Sequence, residues 1–403
     1  MIRYVAVLIV VFSIAVLGLN MVSVGGGDVT AQAEVAQVEP DLSGYAQAID
    51  AWDWQFPRDY GAHPNFQTEW WYYTGNLKTD AGRHFGFQFT IFRRAITPQD
   101  LSSNSEWRTG QIYMAHFTLS DVEGQRFFHD ERYSRGSADL AGAQPVYGQP
   151  ETYDMPYRVW LEDWQVIGQN DDSTLVQMQA ASVYNDTPFA VDLMLDQIKP
   201  PALQGDDGLS PKSDIVGNAS YYYTLSRLLT KGTIRIGDET FTVSGNTWMD
   251  HEYSTSALGE DAQGWDWFGL IFDGGDFGDH EMMIGQIRLM DGGKELAFGG
   301  LMVYPDGSTR YIPAEAFIID DTATWESPHT DAVYPAGWTI SIDAAALDLA
   351  EDFVITVTPL KNDQELHSGD IAYWEGAVRV DGATTGYGYA ELTGYVDTMT
   401  GRF

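Results

Sequence analysis

The chain has 403 residues, enough for two domains or three at roughly 150 residues each. Its 44% hydrophobic and 20% charged residues give the balance of a folded globular protein. The 58 acidic residues against 22 Lys and Arg leave a net charge of −36, which excludes nucleic-acid binding for want of a cationic footprint and disfavours an anionic membrane surface.

At the N-terminus Arg3 precedes an apolar run from Tyr4 to Leu19, and Ala31-Gln32-Ala33 fits a small-x-small cleavage site. Residues 1–33 therefore read as an export signal, with a mature chain from Glu34 in the periplasm or envelope. An uncleaved anchor is the alternative, because Met21 to Val24 could extend the apolar run. A lipobox lipoprotein is excluded by the lack of cysteine, as are disulfides, thiolate nucleophiles and Cys-ligated metals. Residues 34–59, rich in Ala, Gln and Asp without periodicity, read as a linker.

From there on, short runs of period two predict strands. Phe85, Phe87, Phe89 and Ile91 alternate with small or polar residues, as do Tyr113, Ala115, Phe117 and Leu119. Val354 to Thr358 and Ala377 to Val380 are further short strands, while Ala344 to Ala350 is the best helical signal. The stretch Ile198 to Ala219 has no strand pattern and reads as a long loop, either functional or covering a barrel mouth. An acid followed by aromatics opens two similar series, at Glu69-Trp70-Trp71-Tyr72 and at Asp266-Trp267-Phe268. That duplication predicts an all-β chain of two tandem β-domains.

Two segments concentrate polar and aromatic groups. On a strand through Thr247 to Ser254, Trp248, Asp250 and Glu252 share one face, and His251 and Tyr253 share the other. Asp250 and Glu252 are the candidate acid–base pair; the structural alternative is an ion pair with Arg93, Arg94 or Arg227. On a strand through Glu69, that acid shares a face with Trp71 and Tyr73, opposite Trp70 and Tyr72. A carboxyl among indoles should have a raised pKa. Because the first and last strands of a barrel must pair, Glu69 is expected to meet Asp250 or Glu252, walled by Trp71 and Trp248. No G-x-S-x-G elbow or H-E-x-x-H helix is present, and Asp250-His251-Glu252 cannot chelate a metal as a unit because neighbours on a strand face opposite ways.

The chain resembles the AttH-like, carotenoid 1,2-hydratase-related family of exported lipocalin-like proteins. The resemblance is carried by His63-Pro64, Thr68 to Leu77, Met114-Ala115-His116-Phe117, Lys199-Pro200-Pro201, Gly205 to Ser210 and Asn218 to Tyr223. Trp248 to Leu258, Gly264 to Phe268, Tyr373 to Val378 and Gly388 to Tyr395 complete it. It implies two lipocalin-like β-barrel domains, at about 60–255 and 262–403, and no redox cofactor or metal. It also implies a lipophilic ligand, such as an isoprenoid, a polyene or a lipid. On that basis the candidate catalytic residues are Glu69, Asp250, Glu252 and His251. The candidate ligand-binding residues are Trp70, Trp71, Tyr72, Trp248, Tyr253, Trp265, Asp266 and Trp267. Three functions compete: acid-assisted hydration or isomerisation of an alkene, a non-catalytic lipid carrier, and an envelope component acting with an ABC exporter.

Overall fold

The computed structural model describes residues 42–98, 105, 107–256, 258–367 and 372–399. The segment read as an export signal, with its expected cleavage site, lies outside the described residues. The first sheet is built from β1 (Thr68–Lys78), β2 (His84–Ala95), β3 (Gln111–Asp121), β4 (Arg126–Arg135), β5 (Ala141–Gln144), β6 (Arg158–Leu161) and β7 (Trp164–Gly168). It continues with β8 (Leu175–Tyr184), β9 (Thr187–Gln197), β10 (Ala202–Leu203), β11 (Leu209–Pro211), β12 (Ala219–Ile236) and β13 (Glu239–Ser256). β14 (Ala262–Phe272), β15 (Glu281–Leu289), β16 (Gly300–Val303), β17 (Thr309–Ile312) and β18 (Phe317–Asp321) begin the second sheet. After the separate hairpin β19 (Thr324–Glu326) and β20 (Val333–Pro335), the second sheet is completed by β21 (Trp338–Ile342), β22 (Phe353–Pro359), β23 (Glu365–Leu366), β24 (Tyr373–Gly382) and β25 (Gly386–Leu392).

In the first sheet β1 lies between β2 and β13, and in the second β14 lies between β15 and β25. First and last long strands are thus neighbours in each unit, and two nearly closed barrels stand in tandem. The alternating apolar residues fill the lumens. Phe85, Phe87, Phe89 and Ile91 meet Ala115, Phe117 and Leu119 in the first. Phe268, Leu270 and Phe272 meet Trp338, Ile340 and Val357 in the second. The expected helix from Ala344 to Ala350 is only a 3-10 turn at Ala344–Ala346, because Asp348 takes a left-handed φ of 55°. One such turn is too short to propagate as a helix.

Two other expectations are corrected. The segment read as a linker packs, over its described residues, on the first barrel: Ala48 and Asp59 are buried, and Trp54 and Phe56 lie against the core. Aromatic residues two apart at Trp52, Trp54 and Phe56 give an extended segment one apolar edge, so it docks instead of remaining solvated. The stretch from Ile198 to Ala219 contains β10 and β11, both paired with β12, and it does not form a structureless loop.

Much of the outer face of β1, β2, β3, the first half of β12 and the second half of β13 is not solvated either. It carries buried polar residues such as Gln88, Thr90, Thr118 and Ser120, because the second barrel covers it. Polar bonds cross this seam from Asn76 Nδ2 to the Gly388 carbonyl (2.8 Å) and from Ser120 Oγ to Gln364 Oε1 (2.6 Å). Lys199 Nζ reaches both oxygens of the buried Glu281 (2.8 and 2.9 Å), and Arg227 stands beside the same carboxylate as an ion pair, its Nε 2.6 Å away. Gly86 allows the approach, since a Cβ there would stand 2.7 Å from Ala377 Cβ.

Candidate functional site

The register of β1 on β13 decides which residues can act together. Tyr72 opposes Asp250, Trp70 opposes Glu252, Trp71 opposes His251 and Glu69 opposes Tyr253. Directly opposed residues share a face. Glu69 therefore never meets Asp250 or Glu252, contrary to the expectation from barrel closure. The strands do pair, but with Glu69, Trp71, His251 and Tyr253 facing the first barrel's own interior.

There Glu69 is fully buried and saturated with donors. Arg93 Nε lies 2.7 Å from Oε2, while His63 Nδ1 and His251 Nε2 each lie 2.9 Å from Oε1. The His63 backbone N–H donates to both oxygens. Burial opposes the charge, but Arg93 and the two imidazoles outweigh it and hold the carboxyl well below its usual range, not above it. His63 is held protonated by Asp59 and Glu69 against the cost of burial. His251 is kept neutral by burial, with Nδ1 on the Tyr223 hydroxyl at 2.9 Å. The possible ligand atoms of His63, Glu69 and His251 fall within 4.8 Å of one another, a cluster that the sequence reading missed. Their lone pairs and protons are already used, however, and a divalent cation would sit beside the Arg93 guanidinium. The arrangement is a buried ion-pair network that ties the segment before β1 to the barrel wall. Trp71 stacks on His251 and Tyr253 on His63 as part of it.

The second opening acid repeats this role. Asp266 receives Arg288 Nε (3.1 Å), the Gln286 amide (2.9 Å) and the Tyr395 hydroxyl (2.9 Å). Like Glu69, it is neutralised by an arginine of the following strand and does not line a cavity, so its expected place at a ligand site is corrected.

The opposite faces form a cavity of about 100 Å³ between the two barrels, not inside either one. A single water needs ~15 Å³ on the same measure, so the space suits an organic group. Trp70, Tyr72 and Tyr222 line it from the first barrel, and Trp265, Trp267 and Phe298 from the second. Trp248 is buried behind this wall, its indole N–H donating to Asp250 Oδ1 at 2.9 Å. Asp250 also accepts Thr224 Oγ1 (2.5 Å) and the Tyr222 hydroxyl (2.8 Å). Burial outweighs these three donors and pushes the carboxyl up to about 7. Glu252 differs, since Lys212 Nζ stands 3.0 Å away and Ser220 donates to it.

Across the cavity stand two acids that the sequence reading did not assign. Glu375 on β24 and Glu391 on β25 are directly opposed, so their side chains leave the sheet about 5 Å apart. Burial and the neighbouring Glu391 charge raise Glu375 well above the carboxylate range. Burial, together with the charges of Asp250 and Glu252, pushes Glu391 up to about 8, against one donor, the Trp265 indole at 3.1 Å. Tyr72 and Tyr373 lie close enough to Glu375 to ease its charge. Even so, Tyr72 Oη and Glu375 Oε1 make no well-formed hydrogen bond, and a polar atom of a guest would complete both.

A profile of the AttH-like family matches residues 47–395, nearly all of the described chain. The chain belongs to the AttH-like family. The crystal structure of an AttH-type protein from Nitrosomonas europaea is similar to this AttH-like chain at 32% identity and a TM-score of 0.72, covering 87% of this chain and 100% of that one. Kievitone hydratase from Nectria haematococca shares the fold, with a TM-score of 0.60 over 85% of this chain and 93% of that one, at 13% identity. No curated protein matches the AttH-like chain in sequence.

Of the expected site residues, the structure thus gathers Asp250, Glu252, Trp70, Tyr72, Trp265 and Trp267 at one cavity, with Trp248 behind it. It places Glu69, His251, Trp71 and Tyr253 in the first barrel's core instead. Glu375 and Glu391 fall within family words, and their own signal was a carboxyl on a strand beside Trp374 and Ala390 with no turn nearby.

Proposed function

We propose that this AttH-like protein binds a lipophilic, alkene-bearing molecule between its barrels and assists addition of water to the double bond, or its isomerisation, by acid catalysis. The observation that carries this reading is an aromatic cavity with three carboxyl groups (Asp250, Glu375 and Glu391) and no Lys or Arg to spare for them. The one lysine in the described lining, Lys212, is paired with Glu252. Such acids stay protonated near neutrality and can donate to carbon.

The two sides are unequal. The three donors around Asp250 favour its ionised form more than the single indole favours that of Glu391. Glu391 is therefore assigned as the acid and Asp250 as the base. A proton passes from Glu391 to one alkene carbon, and the positive charge left on the other lies over the faces of Trp70, Trp265 and Trp267. Water forms the new C–O bond and gives its surplus proton to Asp250. Loss of a proton to Asp250 without addition of water gives the isomer.

Native mass spectrometry after exposure to isoprenoid and polyene extracts should show one bound apolar molecule. Chromatography of the extract should then show a product heavier by one water or an isomer of equal mass, lost in Asp250→Asn and Glu391→Gln. Binding without either product would leave a carrier, and no binding would refute the proposal.

A further inference from the structure

We propose that Glu131, His116 and Tyr373 form a proton path across the seam that reloads the Glu375–Glu391 pair from solvent. The inference rests on the acid-assisted reading, in which every addition spends one proton from that pair and leaves one on Asp250 to be released to solvent.

The groups stand in line across the seam. Glu131 is on β4 at the partly exposed outer side of the first barrel, and its Oε2 lies 2.8 Å from His116 Nε2, within reach of proton transfer although the two are not aligned as a hydrogen bond. His116, on β3, is buried, and its Nδ1 stands 2.7 Å from the hydroxyl of Tyr373 on β24 of the other barrel. Tyr373 and Glu375, two residues apart on one face of β24, both line the cavity. Three features suit this order to proton movement. Glu131 keeps its carboxylate through His116 despite partial burial, so it can collect protons. The imidazole has one nitrogen toward each side and can take a proton on one while releasing one from the other. Burial and the nearby carboxylates hold the Tyr373 hydroxyl far above its usual pKa, so it stays neutral and both donates and accepts.

The transfer balances. Glu131 gives a proton to His116 Nε2, the Nδ1 proton passes to the Tyr373 oxygen, and the Tyr373 hydroxyl proton passes to the Glu375 carboxylate. One proton moves, no charge is left on the way, and tautomer exchange resets the ring. A purely structural reading would make the His116–Tyr373 bond one more tie between the barrels, like Ser120–Gln364.

Infrared difference spectroscopy separates the two without any substrate. The full chain at neutral pH should show a protonated carboxyl C=O band that Glu375→Gln and Glu391→Gln diminish. After a jump into heavy water this band shifts as the acid proton exchanges. Exchange should slow by about tenfold or more in Tyr373→Phe, His116→Gln and the milder outer variant Glu131→Gln. Ser120→Ala, which loosens the seam off the path, should exchange as the wild type does. Unchanged exchange in the three path variants, or equal slowing in Ser120→Ala, overturns the path and leaves the acid reading intact. Absence of the band at neutral pH overturns both.

Discussion

Glu69 on one side and Asp250 and Glu391 on the other show how buried carboxyls are set to opposite ends of their range by their neighbours. Glu69 is as buried as either, yet Arg93 and two histidines hold it ionised. Asp250 has only neutral donors and rises from 3.8 to about 7, and Glu391 rises from 4.5 to about 8. A carboxyl whose pKa is higher in the folded state binds its proton more tightly there. Its stabilising effect is full below about pH 4 and is lost as the pH rises through 7 and 8. The melting temperature should therefore fall between about pH 4 and 8. Asp250 alone accounts for roughly 4 kcal/mol of that fall at 1.36 kcal/mol per unit. Thermal melts across that range should show a flatter profile for Asp250→Asn; an unchanged slope would mean that the carboxyl is already ionised.

At the scale of the strand, β1 carries two functions on its two faces, and substitutions one residue apart should separate them. Trp71 is fully buried in the first core, so Trp71→Ala should cost about 3–5 kcal/mol of unfolding free energy with little effect on the cavity. Glu69→Gln on the same face breaks a buried ion pair and should cost about as much. Trp70→Ala removes a wall of the cavity and should weaken apolar-ligand binding while lowering stability by roughly 1 kcal/mol. Urea denaturation with a fluorescent fatty acid as probe reads both quantities. The strands and their alternation were legible in the sequence, because a period of two in Phe85 to Ile91 or Tyr113 to Leu119 has no other stable use. The duplication of openings was legible too. Which face of β1 meets which face of β13 was not, because both parities satisfy closure and only the register distinguishes them. Hence Asp250, Glu252, Trp70 and Tyr72 were all named as site residues, but the two acids were set beside Glu69 and Trp71 and not beside Trp70 and Tyr72, which the register places opposite them. Glu375 and Glu391 escaped because an acid on the outer face of a strand normally faces water, and nothing local reveals a second barrel lying over it.

In the whole molecule, the second barrel is what turns outer faces into a site. Its attachment depends on Glu281, fully buried and shared between Lys199 and Arg227 of the first unit. Lys199→Met should leave that carboxylate underneutralised, at a cost of about 3–5 kcal/mol concentrated at the seam. Calorimetry should then resolve two unfolding transitions in place of one cooperative event, and a single undivided transition would show that the apolar contacts suffice.

The filled lumens have one more consequence, which concerns descent. A barrel that holds its guest inside must change its own core whenever the guest changes, so adaptation and folding compete for the same side chains. Here the guest's walls alternate, residue by residue, with the residues that keep each barrel folded. A lineage can exchange Trp70, Tyr72 or Trp267 for another shape and leave Trp71, Tyr73 and Phe268 untouched. Diversity of substrate within one unchanging architecture is the pattern such a molecule should leave among its descendants.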